Sequence, residues 1–202
     1  MKNRIITISR EFGSGGRSIG REVAAKLQIA CYDSELIEKI AEESGLAKEY
    51  ISEKGEYAPH GSNWANAFSY GRFFNGTTTQ DYLWTVQRQI ILDLAQKESC
   101  VIVGRCADYI LGETADCLKV FIHASMEKRA ERIVKMYGEG EDSPKKRLQD
   151  KDRRRKAYYH FYTDMEWGVA KNYHISLDSG VLGLETCVKI ITDLYQSPRS
   201  ES

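Results

Sequence analysis

Apolar residues along this 202-residue chain alternate between short continuous runs and helical stripes. The runs predict strands at Arg4–Ile8, Ala30–Tyr32, Cys100–Val103, Leu118–Ile122 and Ile175–Leu177. Most are unbroken, as expected where both faces of a parallel sheet are covered. Between them, Ile19, Val23 and Leu27 repeat every fourth residue and predict a helix. Leu36, Ile37 and Ile40 form a second stripe, with Ser34 as N-cap and Gly45 as terminator. Leu83, Val86, Ile90 and Leu94 predict a helix over Thr79–Lys97. Ala130, Ile133, Val134 and Tyr137 mark another, and Leu184, Val188, Ile191 and Tyr195 a last one. Strand and helix in alternation predict an α/β fold with a five-stranded parallel sheet and helices on both faces. Residues 1–196 read as one domain, and 197–202 as a disordered polar tail.

Two stretches break the alternation. Residues 52–78 are rich in Gly, Asn, Ser and aromatics; Trp64, Phe68, Tyr70, Phe73 and Phe74 suit either a base pocket or core. Residues 145–156, KKRLQDKDRRRK, carry eight cations against two aspartates. A solvated basic face and an RNA-binding patch are the plain readings, but no aromatic RNA-binding strand accompanies them.

Composition narrows the classes. Lys plus Arg and Asp plus Glu are 29 each, so the net charge of zero gives no global argument for nucleic acid or a membrane surface. No apolar run approaches the roughly 20 residues of a membrane span, and no signal-peptide pattern opens the chain. The five cysteines show no CxxC spacing and read as reduced thiols, which predicts a cytoplasmic protein. Four scattered histidines make a structural metal site improbable from sequence.

The chemistry begins at TISREFGSGGRSIGRE, residues 7–22, a β-branched run, a glycine-rich turn and a helical pattern. Nucleotide phosphate loops read GxxxxGK[ST]; backbone amides and the helix N-terminus hold phosphate, while the lysine and hydroxyl reach phosphate and Mg2+. Aligned on Gly15, this chain has Arg10 for the first glycine, Gly16 for the lysine and Arg17 for the Ser/Thr. Gly13, Ser14, Gly15 and Gly16 still suit the turn; Arg10 or Arg17 can replace the missing cation, and Ser18 keeps a hydroxyl for Mg2+. A dinucleotide GxGxxG site is the rival: Gly13 and Gly15 fit and Asp33 lies at the distance of a ribose-binding acid, but Ser18 stands at the third glycine.

Further segments carry a family resemblance. ITISREFGSGGRSIGREVAAKL, CYDSELIEKIA, VIVGRCADYIL, DCLKVFIHASMEKRAERI and DRRRKAYYHFYTDMEW followed by NYHISLDSG occur in the order of cytidylate kinase segments. The chain resembles most the divergent cytidylate kinase-like group, within the P-loop nucleoside monophosphate kinases, which shares the SREFGSGGR loop. The resemblance implies a three-layer P-loop kinase sandwich with an acceptor-binding excursion at 34–85 and a lid at 138–168. It implies ATP and Mg2+ as cofactors and phosphoryl transfer to a nucleoside monophosphate such as CMP. The alternative is a nucleotide-binding sensor without catalysis on the same fold.

Site residues follow segment by segment. Arg105, at the carboxyl end of a strand, suits bidentate phosphate binding. Asp33 suits a ribose, a base or a Mg2+-bound water, or equally an N-cap. Lys39 stands where the family has a monophosphate-binding arginine, and reads equally as a solvated helix cation. Asp152 and Arg155 match the lid D-x-x-R, where the aspartate orients the arginine or touches the acceptor and the arginine stabilises transferred charge. A third lid position, an arginine in the family, is Leu148, and Cys106 replaces the aspartate of Gly-Arg-Asp, with Asp108 two residues on. Gln87 and Arg88 are further candidates for the acceptor side.

Overall fold

The computed structural model describes residues 3–33, 79–112 and 114–198. The predicted stripe at 36–40, Lys39 and the aromatics of 52–78 lie outside the described residues, as does most of the expected excursion at 34–85.

Five strands, β1 (Arg4–Arg10), β2 (Ala30–Tyr32), β3 (Cys100–Val103), β4 (Asp116–His123) and β5 (Ile175–Asp178), form one all-parallel sheet in the order β2-β3-β1-β4-β5. The helices are α1 (Gly16–Leu27), α2 (Thr79–Lys97), α3 (Ala107–Leu111), α4 (Met126–Tyr137), α5 (Pro144–Thr163), α6 (Ser179–Leu182) and α7 (Leu184–Gln196). Alternation along the strands sorts two core layers. Ile5, Cys100 and Ile102 pack with Ile90, Ile91 and Leu94 of α2 and Leu111 of α3. Ile6, Ile8, Val101 and Val103 pack with Ile19 and Val23 of α1 and Val188 and Ile191 of α7. No helix among the described residues is long and apolar enough to cross a membrane.

The unbroken apolar runs of β2 and β3 mark their ends as predicted. β1 is longer than expected, running to Arg10 instead of Ile8, because Ser9 and Arg10 keep parallel register with Phe121 and Ile122 of β4. That extension carries an arginine to the carboxyl edge of the central strand. The predicted lid at 138–168 is largely one 20-residue helix, α5, capped by the Ser143 side chain, which accepts from the Lys146 amide. Leu148, Asp152, Tyr158 and Tyr159 of α5 are buried, so the basic segment has an inward face as well as a solvated one. The periodicity showed neither the short helices α3 and α6, whose four or five residues are too few for a helical stripe, nor α5, whose run of cations hides an apolar stripe.

Candidate active site

Because β1 lies between β3 and β4, the turn that follows it sits at the carboxyl edge of the sheet, where open α/β sheets bind ligands. Gly13 and Gly15 take the left-handed backbone at φ 77° and 82°, and α1 starts at Gly16. A Cβ at Gly13 would lie 2.9 Å from Ile133 Cγ2 and 3.0 Å from the Arg129 carbonyl, so bulk is excluded there as well as by φ.

The turn is tied from behind through its carbonyls. Arg155 Nη1 donates to the Arg10 carbonyl at 3.1 Å, Arg129 Nη1 to that of Phe12 at 3.1 Å, and Arg132 Nη1 to that of Gly13 at 2.8 Å. The Ser179 hydroxyl donates to the Ser14 carbonyl. With these carbonyls engaged by α4, α5 and α6, the peptide planes are fixed. The first amides of α1 have no intrahelical acceptor, and the helix dipole adds partial positive charge beside them. The result is a frame for anionic oxygen.

Two buried side chains organise that frame. Arg129 also donates through Nε to the Ala124 carbonyl at 3.1 Å and lies 3.3 Å from Glu11 Oε2. Asp152 accepts from Arg129 Nη1 at 2.5 Å and from the Phe12 amide at 2.7 Å. The Asp152 carboxylate thus engages Arg129 and the loop backbone. Leu148 is fully buried, with its Cδ2 3.1 Å from where a Gly13 Cβ would sit. The family arginine position is thus filled here by a side chain that packs beneath the loop.

The lysine question has a steric answer. A Cβ at Gly16 would stand 2.5 Å from the Arg10 Cβ, so no side chain fits at 16 while Arg10 occupies the strand end. Compared with the GxxxxGK pattern, glycine and cation have changed places. The Arg10 guanidinium lies across Gly104, where a Cβ would be 2.0 Å from its Nη1; Gly104 sits at φ 80°. Arg17 instead forms an ion pair with Asp33, and its side chain is half exposed. Asp33 therefore engages the start of α1, and Ser18 lies half-buried in the first turn of that helix.

Arg10, Arg105 and Arg155 meet in one pocket, with Ser9, Gly104, Cys106, Tyr158, Tyr159 and Trp167 around them. Arg105 is 5% exposed, at φ 60°, and its Nη1 is buried without a hydrogen-bond partner. A buried cation lacking such a partner is costly unless an anion completes the site. Gln87 is buried behind it, donating to the Arg105 carbonyl at 3.1 Å and accepting from the Tyr158 hydroxyl at 3.4 Å. Arg88, the other candidate on α2, is exposed. Arg155 also lies over the Phe12 ring, 5.7 Å from its centroid.

Beneath the pocket lies Asp108, 3% exposed. It accepts from the Tyr159 hydroxyl at 2.8 Å and the Ser9 hydroxyl at 3.3 Å. Burial pushes its carboxyl above the usual range, against the downward pull of those hydrogen bonds and of Lys119. A carboxyl raised in the folded state contributes stability below its unfolded value of about 4 and loses it as pH rises through the folded value. Asp108→Asn is therefore expected to gain stability relative to the parent as pH rises from about 4, measured by urea melts across pH 4–8.

Arg129, Arg132, Gln87, Ser9, Asp108 and Ser179 all belong to this arrangement. Of these, sequence reasoning singled out only Gln87 and Asp108, both without a firm role. The available signal was the i, i+3 spacing of Arg129 and Arg132 in EKRAER, which sets both on one helix face toward the loop.

No curated protein matches the chain. Among solved structures, an uncharacterized protein from Eubacterium ventriosum ATCC 27560 superposes with a TM-score of 0.73 at 25% identity, over 97% of this chain and 100% of that one. A shikimate kinase from Acinetobacter baumannii, solved with shikimate, gives 0.54 at 14% identity over 95% and 92%. A gluconokinase from Sinorhizobium meliloti 1021 gives 0.52 at 14% over 96% and 94%. The fold is that of the P-loop kinases. The glycine loop, the strand-end arginine and the basic helix α5 all fall within residues 5–181, the span matched by the cytidylate kinase-like family model, and the chain belongs to that family.

Proposed function

We propose that this protein transfers the γ-phosphoryl group of ATP to a small acceptor that carries an anionic group, with nucleoside monophosphates, CMP first, as the acceptors the family points to. The observation that carries this is the convergence of Arg10, Arg105 and Arg155 at the sheet edge beside the glycine loop, with Arg105 Nη1 buried and lacking a hydrogen-bond partner. Phosphoryl transfer needs positioned positive charge more than covalent chemistry. The amides of 13–18 hold the donor phosphates, and Arg10 stands in for the lysine. Arg105 grips the acceptor's anion, and Arg155 faces the transferred group.

Magnesium fits this arrangement in one form. Among the described residues no three His, Cys, Asp or Glu side chains are grouped to hold a metal. Mg2+ bound mainly by phosphate and water needs one or two protein oxygens, and in this reading the Ser18 hydroxyl supplies one. There the ion would neutralise charge on the donor phosphates.

The test is ADP release with MgATP over a panel of nucleoside monophosphates and hydroxy acids. Turnover is expected for at least one acceptor, and Arg10→Ala is expected to cost at least tenfold more in kcat than Arg17→Ala. Tight ATP binding without turnover on any acceptor would overturn the enzyme reading in favour of a nucleotide sensor.

A further inference from the structure

The pocket floor holds a group that phosphate binding does not use. Asp108, Ser9, Tyr159 and Tyr173 are each at most 7% exposed, and they come from α3, β1, α5 and the segment before β5. Ser9 and Tyr159 both line the arginine pocket, and both spend their single hydroxyl proton on Asp108. What they can offer a ligand is therefore lone pairs. Arginines on the walls can only donate. A ligand complementary to both carries an anion for the walls and an O–H for the floor.

The geometry points to a proton relay, from an alcohol acceptor through Ser9 Oγ to the Asp108 carboxylate, and so to a hydroxyl-bearing anion, such as a hydroxy acid, as the acceptor class. The relay rests on the phosphoryl-transfer reading above but puts a hydroxy acid in place of the nucleoside monophosphate as acceptor, and the step balances as follows. The acceptor oxygen bonds to the γ-phosphorus as the bond from that phosphorus to the β,γ-bridging oxygen breaks, and ADP leaves. The acceptor's proton passes to Ser9 Oγ while the Ser9 proton passes to Asp108 Oδ1, from which it later returns to water. A phosphomonoester acceptor has no use for the relay, because its attacking oxygen is already anionic near neutral pH.

Burial favours this role, since a carboxylate raised above its ordinary value is a stronger base. The groups facing Asp108 are the hydroxyls of Ser9, Tyr159 and Tyr173 and the ammonium of Lys119. Lys119 is the single cation among them and acts to keep the carboxylate ionised.

The experiment compares D-glycerate, quinate and a hexonate with CMP and UMP as acceptors, for the parent, Ser9→Ala and Asp108→Asn, with kcat followed over pH 4.5–9. Turnover of a hydroxy acid is expected, with an acid limb above the ordinary aspartate value of about 4. Ser9→Ala should lower kcat by about 10²–10⁴ with KM for ATP unchanged, and Asp108→Asn should remove the acid limb. Ser9→Ala is the smaller change and keeps the test decisive if Asp108→Asn folds poorly. Turnover of nucleoside monophosphates alone, at rates Ser9→Ala does not change, would overturn the relay while leaving the kinase reading intact. No turnover with any acceptor would overturn both.

Discussion

Asp152→Ala is expected to lower stability by about 3 kcal/mol and to weaken nucleotide binding at the same time. Removing one partner of a buried ion pair typically costs roughly 3–5 kcal/mol, because the other charge is stranded. Here Arg129 would keep Glu11 at 3.3 Å, which places the loss at the low end. The Phe12 amide would also lose its acceptor, which frees the residue just before the left-handed Gly13. Asp152→Asn should be milder, since an amide oxygen still accepts from Phe12 while the charge on Arg129 loses its nearer partner. Thermal or urea melts, together with titration of MgATP, read both effects. Had Asp152 served the acceptor directly, Asp152→Ala would cut turnover and leave the melting temperature and ATP affinity alone. That pattern would remove the loop-holding role derived from its contacts.

This double effect explains which parts of the site the sequence could show. The glycine turn was readable because Gly13, Gly15 and Gly16 follow a β-branched run, and local chemistry decides such turns. The bounds of α2 were readable from the spacing of Val86, Ile90 and Leu94, and β3 from its unbroken apolar run. Arg129 was legible only as a member of a charged helical segment, where a cation is ordinarily solvated, and Asp152 only as part of the lid D-x-x-R, with its contact to the loop out of view. Their roles arise from α4 and α5 packing against the loop after β1, 117 and 140 residues away along the chain. No spacing rule reaches that far. The same holds for Leu148, whose departure from the family arginine looked like a lost contact until its packing under Gly13 was seen. The Arg10/Gly16 exchange lies between these cases. Both departures stand in plain view in the sequence, but only the 2.5 Å approach of a Gly16 Cβ to Arg10 shows that each requires the other.

Arg105→Met is expected to do the opposite of Asp152→Ala: to cut turnover steeply while leaving stability equal or higher. In the described residues Arg105 is 5% exposed, and its Nη1 meets no hydrogen-bond acceptor. Replacing a buried ion by an apolar side chain of similar length is often neutral or stabilising by about 1–4 kcal/mol. The main contact that locks this turn, Gln87 to the Arg105 carbonyl, is to backbone and survives the change. Methionine is also unbranched and adaptable, which suits a pocket that Cys106 and Tyr158 line as well. Function should respond in the other direction. If Arg105 grips the acceptor's anion, its loss costs on the order of 10²–10³ in kcat/KM, and lysine recovers little of it because an ammonium cannot make the bidentate contact. If the loop amides hold ATP as proposed, its affinity should stay within a few-fold of the parent. The measurement pairs a urea melt with acceptor-dependent ADP release and a separate ATP titration. A drop in stability of 2 kcal/mol or more would mean that Arg105 is satisfied inside the fold and holds structure instead of ligand. An unchanged or raised melting point with the acceptor response gone would place the cost of burying this arginine on the side of function, where proteins commonly accept such a cost.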